Sequence, residues 1–122
     1  MSHGRTPDPD DLLDPELSAQ VAETMQALAT PSRLRILARL HSGPCTVNEL
    51  ALAVGMEASA VSHQLRVLRL LGLVNGERLG RSVSYSLHDE HVGALLGEAM
   101  SHVEHLRLAR VGGSRSTPAA AG

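Results

Sequence analysis

Cysteine is nearly absent from this chain of 122 residues, in which Cys45 is the single one. One cysteine excludes an internal disulfide and a metal site of paired thiolates, so any metal site must use nitrogen and oxygen donors. Long apolar runs are also absent: none approaches the ~18 residues of a membrane span, and no charged-then-apolar signal segment opens the chain. We therefore expect a cytoplasmic protein without a membrane partner, and the length suits one small domain.

Lysine is missing too, and all eleven cationic side chains are arginines. The formal net charge of −2 hides an uneven distribution, because residues 1–16 carry five carboxylates against one arginine, whereas residues 30–87 carry seven arginines against three glutamates. Arginine suits forked contacts with phosphate groups and guanine edges. Arginines scattered over helices are more commonly a solvated face, so the basic middle indicates a DNA surface only together with a DNA-binding motif.

Composition divides the chain into three parts. Both ends are rich in proline, glycine, serine or aspartate and lack helical periodicity. We predict a disordered acidic N-terminal arm over residues 1–15, one domain over residues 16–110 and a disordered tail over residues 111–122.

The domain opens with two predicted helices. Apolar residues at helical spacing predict the first over Glu16–Ala29. Thr30 is a good N-cap and Pro31 fits the first helical position, so a second helix runs from Pro31 to His41. The side chains expected to face inward from the second helix are Leu34, Leu37 and Leu40.

Two further helices joined by a glycine-containing turn predict a helix-turn-helix. The third helix begins at Thr46, because Thr46 and Glu49 match a capping box, and it ends at Gly55. The fourth helix spans Ser59–Leu71 and buries one apolar face. That face consists of Val61, Leu65 and Leu68.

A β-hairpin follows, with strands predicted over Leu73–Arg78 and Ser82–Leu87. Arg78 and Arg81 flank Gly80 at its tip, a shape suited to a phosphate backbone or a minor groove. A last helix, Asp89–Ala109, carries an apolar stripe that one small domain leaves partly bare. The predicted fold is mainly α with a β-hairpin wing: a winged helix-turn-helix of five helices and two strands that forms a homodimer through its N- and C-terminal helices.

Four potential metal donors, Asp89, His91, His102 and His105, lie on the last predicted helix. His91 and His102 are eleven residues apart, or about 16 Å along a helix, whereas donors that share an ion each lie about 2 Å from it. Eleven residues is nearly three turns, so both histidines project from one face. Antiparallel pairing with the same helix of a second subunit would join the two pairs. The spacing therefore predicts a two-fold dimer with two equivalent inter-subunit sites.

Residues 17–109 resemble the winged-helix metalloregulatory repressors of the ArsR/SmtB family. The resemblance rests on the segments ALATPSRLRIL (residues 27–37), SAVSHQLRVL (59–68), GLV (72–74) and GRSVSYSL (80–87). Within the family, the D-x-H and H-x-x-H pattern of the last helix resembles the site of the zinc, cobalt and nickel sensors, most of all the nickel/cobalt sensors. The family's other metal site needs paired cysteines on the third helix, and this chain has Thr46–Glu49 there.

The resemblance implies a repressor that binds double-stranded operator DNA at an inverted repeat and is released by Ni(II) or Co(II). It places Asp89, His91, His102 and His105 at the metal, and no small organic ligand is expected. DNA-contacting residues are expected on the fourth helix and the wing, with Gln64 suited to a bidentate contact with adenine. They are Ser59, Ser62, His63, Gln64, Arg66, Arg78 and Arg81.

The chain begins Met1-Ser2-His3-Gly4, similar to the start of the family's nickel/cobalt sensors, whose N-terminal arm is thought to reach the metal. After removal of Met1, the Ser2 amine and the His3 imidazole would bring the donors to six, which favours octahedral nickel or cobalt. A four-donor set favours tetrahedral zinc, Zn(II) being the alternative signal. The sequence is equally consistent with an N-terminal arm that does not bind the metal.

Several alternatives stay open at this stage. Ser59 is as well explained as a helix cap. The histidines of the last helix could instead have a packing role in a regulator that does not respond to metals. Alternatively, the chain could be a metal-storage or metal-delivery protein, but that function does not explain Arg66, Arg78 and Arg81. We expect no enzyme, because no HExxH motif and no evident general base accompany the donors.

Overall fold

The computed structural model describes residues 6–115 of the chain. Within that range it contains five α-helices, a short 3-10 helix and two antiparallel strands. Their bounds, in chain order, are a 3-10 helix Pro9–Leu13, α1 Pro15–Ala27, α2 Pro31–His41, α3 Val47–Val54, α4 Ala58–Leu70, β1 Val74–Leu79, β2 Ser82–Leu87 and α5 Glu90–Arg115. The predicted winged helix-turn-helix architecture is confirmed.

The predicted start signals of α2 and α3 are present. The Thr30 side chain accepts a hydrogen bond from the backbone N–H of Arg33 at 3.3 Å. In the capping box of α3, the backbone N–H of Glu49 donates to Thr46 at 3.2 Å, and the backbone N–H of Thr46 donates to the Glu49 carboxylate at 2.8 Å. Gly55 ends α3 with a φ of +69°, a conformation that glycine adopts without a steric cost.

At residues 9–13 the structure differs from the prediction, which placed them in a disordered N-terminal arm over residues 1–15. There a 3-10 helix forms because Asp8 accepts the backbone N–H of Asp10 and the Asp11 carboxylate accepts the backbone N–H of Asp8, each at 2.9 Å. The next residue, Asp14, caps α1 by accepting the backbone N–H of Leu17 at 2.8 Å. Closely spaced acidic caps, rather than apolar periodicity, order this segment.

The last helix is longer than predicted, because α5 continues to Arg115 and so enters the segment predicted as a tail. Each glycine in a helix costs about 1 kcal/mol relative to alanine, but extension of an existing helix still adds a hydrogen bond per residue. The pair Gly112-Gly113 therefore does not end α5. Residues 1–5 and 116–122 lie outside the described residues.

The core lies between α2, α3, α4, β1 and the first turns of α5. One prediction was wrong here: Leu34 is 39% exposed, and Ile36 is fully buried in its place. Leu34 instead lines a groove between α2 and α5. The most deeply buried side chains are Ile36, Leu37, Leu50, Val61, Leu65, Leu68 and Val74.

The wing is joined to the body of the domain through Tyr85, the only aromatic residue of the chain. The backbone of Cys45 forms a β-bridge with Tyr85, with N···O distances of 2.9 and 2.7 Å. Tyr85 also pairs across the hairpin with Gly76, where a Cβ would lie 3.0 Å from the Tyr85 ring. Cys45 itself is buried, and burial raises the pKa of its thiol, although Arg39 opposes this shift. Cys45 is therefore a packed cysteine.

Two helices of the single chain leave apolar surface bare. In α1 only Ala27 is buried, and Met25 is 52% exposed. In α5, Val92 and Leu96 reach the core, but the apolar residues beyond them are exposed, as expected of a helix that needs a partner. They are Met100, Val103, Leu106, Leu108 and Val111. None of the helices between residues 6 and 115 is long and apolar enough to cross a membrane.

Candidate metal and DNA-binding surfaces

The three candidate histidine donors lie on the face of α5 that points away from the core. At about 100° of rotation per residue, His102 is within about 20° of His91, and His105 within about 40° on the other side. The buried residues Val92 and Leu96 lie about 100° and 140° away from His91. All three histidines are accordingly exposed, and the His91 side chain is 93% exposed.

Asp89 and His91 form one pair of donors at the start of α5. The His91 imidazole Nδ1 lies 3.4 Å from the Asp89 carboxylate, and the backbone N–H of His91 donates to the same carboxylate at 2.9 Å. Partial desolvation acts to raise the pKa of Asp89, but the hydrogen bonds from His91 outweigh it, and the pKa is lowered. Asp89 is therefore charged at neutral pH and also caps the helix.

The second pair, His102 and His105, is too far along the helix to join the first. Among residues 6–115, no three His, Cys, Asp or Glu side chains of one chain lie together in a way that could hold a metal ion. The described part of one chain therefore does not bring the two pairs together. Exposed imidazole and carboxylate donors do suit nickel, cobalt or zinc, so the donor chemistry fits these ions once a second subunit supplies the other pair.

The remaining described histidines have other surroundings. His88 lies at the end of β2, where its Nδ1 is 3.0 Å from the side-chain oxygen of Asn75. The His41 ring at the end of α2 packs on Gly93 so closely that a Cβ on Gly93 would lie 2.5 Å from it. His63 is exposed on α4, on the recognition helix. Ser2 and His3 lie outside the described residues.

The recognition helix α4 exposes most of the side chains that were predicted to contact DNA. Ser59, Ser62, His63 and Arg66 are all exposed. The alternative role of Ser59 as a helix cap was wrong, because α4 begins at Ala58 and Glu57 is the N-cap residue. At the wing, Arg78 and Arg81 are exposed beside Gly80, whose φ is +66°.

Gln64 is placed differently from the expectation of a base-reading side chain. It is half-buried, and its amide oxygen accepts a hydrogen bond from Arg33 Nε on α2 at 2.6 Å. A bidentate contact with adenine requires that oxygen. In this arrangement Gln64 therefore faces α2 rather than a DNA groove.

A cleft between α4 and the wing contains two residues that the sequence reasoning missed. It is lined by Ser62, Leu65, Arg66, Arg69, Leu70 and Tyr85. Arg69 follows Arg66 by three residues, so both side chains lie on the same face of α4. That spacing was a usable signal for Arg69, whereas the position of Tyr85 depends on the fold of the hairpin.

Comparison with known proteins identifies the family. A sequence model described as "Bacterial regulatory protein, arsR family" matches residues 30–76. The transcriptional regulator NmtR of Mycobacterium tuberculosis is 66% identical over 96 residues, which are 79% of this chain and 80% of NmtR. The chain belongs to the ArsR family.

Similar solved structures agree with the assignment of the chain to the ArsR family. The solution structure of apo-NmtR has a TM-score of 0.69 and 59% sequence identity, covering 96% of this chain and 93% of that one. A homodimeric winged helix-turn-helix DNA-binding domain from Mycobacterium bovis has a TM-score of 0.69 and 31% identity, covering 82% and 91%. The predicted family is thereby confirmed.

The capping role of Asp89, which accepts a hydrogen bond from the backbone N–H of His91, can be tested without metal. In metal-free protein at a fixed concentration, Asp89→Ala should lower the thermal midpoint, because α5 loses its capping acceptor, whereas Asp89→Asn should lower it less. Folding lowers the pKa of Asp89, so its charge stabilises the folded state at pH values above the ordinary carboxyl pKa. This stabilisation is lost as the pH falls through the pKa of Asp89 in the folded state. The advantage of wild type over Asp89→Asn should therefore shrink in acid. Equal midpoints for wild type and Asp89→Ala at neutral pH would contradict the capping role.

Proposed function

We propose that this ArsR-family protein is a metal-responsive transcriptional repressor that binds operator DNA as a homodimer and releases it on binding Ni(II) or Co(II). One observation carries the proposal: α5 and Asp89, the residue before it, display four exposed nitrogen and oxygen donors, in two pairs that a single chain cannot join. We assign the chain no catalytic role, and its place of action is the cytoplasm, where the DNA is.

The bare apolar surfaces of α1 and α5 support the homodimer. A two-fold axis that brings Asp89 and His91 of one subunit to His102 and His105 of the other passes midway between residues 91 and 102, beside Gly97. Such pairing also covers Leu95 and Leu106, two exposed leucines that lie about 40° and 60° from His91 around the helix, and their burial favours association. The similar domain from M. bovis is homodimeric, and this too supports the proposal.

The choice of nickel or cobalt rests on donor number and on the similarity to NmtR. Asp89, His91, His102 and His105 supply four donors, and the Ser2 amine and His3 would raise the number to six, the octahedral set that suits nickel and cobalt. Zn(II) is the alternative if the arm stays apart, because four donors suit a tetrahedral ion. A bound ion would join the two α5 helices through these side chains.

The proposed DNA interface combines α4 with the wing. Ser59, Ser62, His63 and Arg66 would enter a major groove of an inverted repeat, while Arg78 and Arg81 contact the flanking backbone. We add Arg69 and Tyr85, which line the cleft between these elements, as contacts to a phosphate of the DNA backbone. Gln64 is left out of the base-reading set because of its hydrogen bond with Arg33.

The first experiment measures binding of labelled promoter DNA by fluorescence anisotropy, with untagged protein alone and with nickel, cobalt or zinc. Nickel or cobalt should weaken DNA binding by roughly 5- to 150-fold, the usual size of such coupling. An N-terminal extension that blocks the Ser2 amine should abolish the preference over zinc.

Two variants control this measurement. His102→Ala should abolish the metal response, whereas His88→Ala should retain it, because His88 lies outside the donor set and faces Asn75. An equal or stronger response to zinc would indicate a four-donor zinc sensor. A protein that binds DNA identically with and without every metal would contradict the proposed function.

Metal-site sharing between subunits is tested by complementation. One chain carries Asp89→Asn and His91→Ala, and the other carries His102→Ala and His105→Ala. Only the heterodimer retains a complete site, made from the intact pair of each chain. Equilibrium dialysis should find one ion per heterodimer, two per wild-type dimer and none in either variant homodimer. A heterodimer that binds no metal would reject the inter-subunit site.

The phosphate contact in the cleft is tested through salt dependence. Arg69→Ala should reduce the slope of log K against log salt by about 0.9, the value for one phosphate contact, and weaken binding equally for all DNA sequences. Arg110→Ala makes the same charge change on α5, outside the cleft, and should leave the slope unchanged. The phosphate contact is refuted if Arg69→Ala, like Arg110→Ala, shows the same slope as wild type.

A further inference from the structure

The Arg33 side chain connects three helices at the back of the recognition helix. It starts from the first turn of α2, where the Arg33 backbone is held by Thr30. Its Nε donates to the Gln64 amide oxygen of α4 at 2.6 Å, and its Nη1 lies 3.4 Å from the carbonyl oxygen of Ala27, the last residue of α1. The bond to Gln64 is charge-assisted and short, so it is the stronger of the two.

The contact with α1 has a second source of attraction. The carbonyl groups at the end of a helix carry a partial negative charge, which favours a nearby cation. Arg33 is half-buried, so this interaction is less screened by solvent than it would be at a fully exposed site. The same guanidinium therefore holds the end of α1 and the middle of α4 in one arrangement.

The opposite end of α2 packs on the helix that carries the metal donors. The His41 ring lies against Gly93 of α5, two residues from His91. Helix α2 thus contacts α5 at its C-terminal end and α4 at its N-terminal end. A displacement of α5 relative to α2 can be passed to the recognition helix through these two contacts, without any movement inside the α3–α4 unit.

We propose that Arg33 is a positioning residue that orients the recognition helix through Gln64, and that metal binding on α5 changes DNA affinity through this contact. The second half of the proposal rests on the proposed function. Arg33 acts here without touching DNA, and the contribution of Gln64 to DNA binding comes from its hydrogen bond with Arg33 rather than from a base. The two residues therefore form one functional unit.

A double-mutant cycle on metal-free, untagged, full-length protein tests the first half. Arg33→Met and Gln64→Met should each lower affinity for specific promoter DNA by about tenfold, the loss expected for one hydrogen bond to a charged group. The double variant should lose no more than either single one. Affinity for unrelated DNA should fall less, because orientation matters most for base contacts. Arg39→Met, the same change on the same helix but beside Cys45, is the control and should keep its ratio of specific to unrelated binding.

Losses that multiply to about a hundredfold in the double variant would overturn the proposal, because independent contacts add in free energy. An unchanged DNA affinity in Arg33→Met would also overturn it. Thermal unfolding shows whether each variant folds. If Arg33→Met does not fold, the cycle is built with Arg33→Lys, which keeps the positive charge and lacks the Nε donor.

The second half is tested by adding nickel to the same proteins. In Arg33→Met, the factor by which nickel weakens DNA binding should shrink several-fold relative to wild type, while nickel affinity without DNA stays the same. An unchanged factor would overturn the proposed route from α5. If wild type itself shows no metal response, the proposed function fails, whereas the metal-free cycle still decides whether Arg33 positions α4.

Discussion

The rise of the α-helix is the constraint on which the candidate site of this protein depends. It separates the donor pair Asp89 and His91 from the pair His102 and His105 by about 16 Å, far more than one ion can span. The three histidines share a face, however, and that face points away from the core of their own subunit. In the proposed site, metal binding and dimerisation would therefore both involve α5.

Helix α2 is central to how the two candidate surfaces are related. Its buried face, with Ile36 and Leu37, belongs to the core that also holds α3 and α4, and its C-terminal end lies against α5 at Gly93. Protein cores are closely packed and transmit displacement rather than absorbing it. A change in the angle of α5 thus has a short physical route to the recognition helix, and the side chain of Arg33 is the polar part of that route.

Local features of the fold could be predicted from the sequence, and features that depend on distant residues could not. The capping box of Thr46 and Glu49 and the glycine at the end of α3 act within a few residues, and both were recognised. The hydrogen bond of Gln64 with Arg33 could not be predicted, because the two residues lie 31 positions apart in the sequence. Leu34 and Ile36 were confused because periodicity identifies an apolar stripe but not which edge the rest of the fold covers. The donor spacing was predictable because one regular helix carries the three histidines and Asp89 directly precedes it.

The exposure of the donors indicates what the metal-binding free energy would do. In a structural zinc site, the ligands are organised only when the metal binds, so the binding free energy stabilises the fold. Here the His91 side chain is 93% exposed and takes no part in the core, and among the described residues no buried side-chain nitrogen or oxygen lacks a hydrogen-bond partner. The candidate ligands therefore lie outside the apolar core of the subunit. In the proposed site, the free energy of metal binding would then favour one arrangement of the two α5 helices over another, which is what a regulatory site requires.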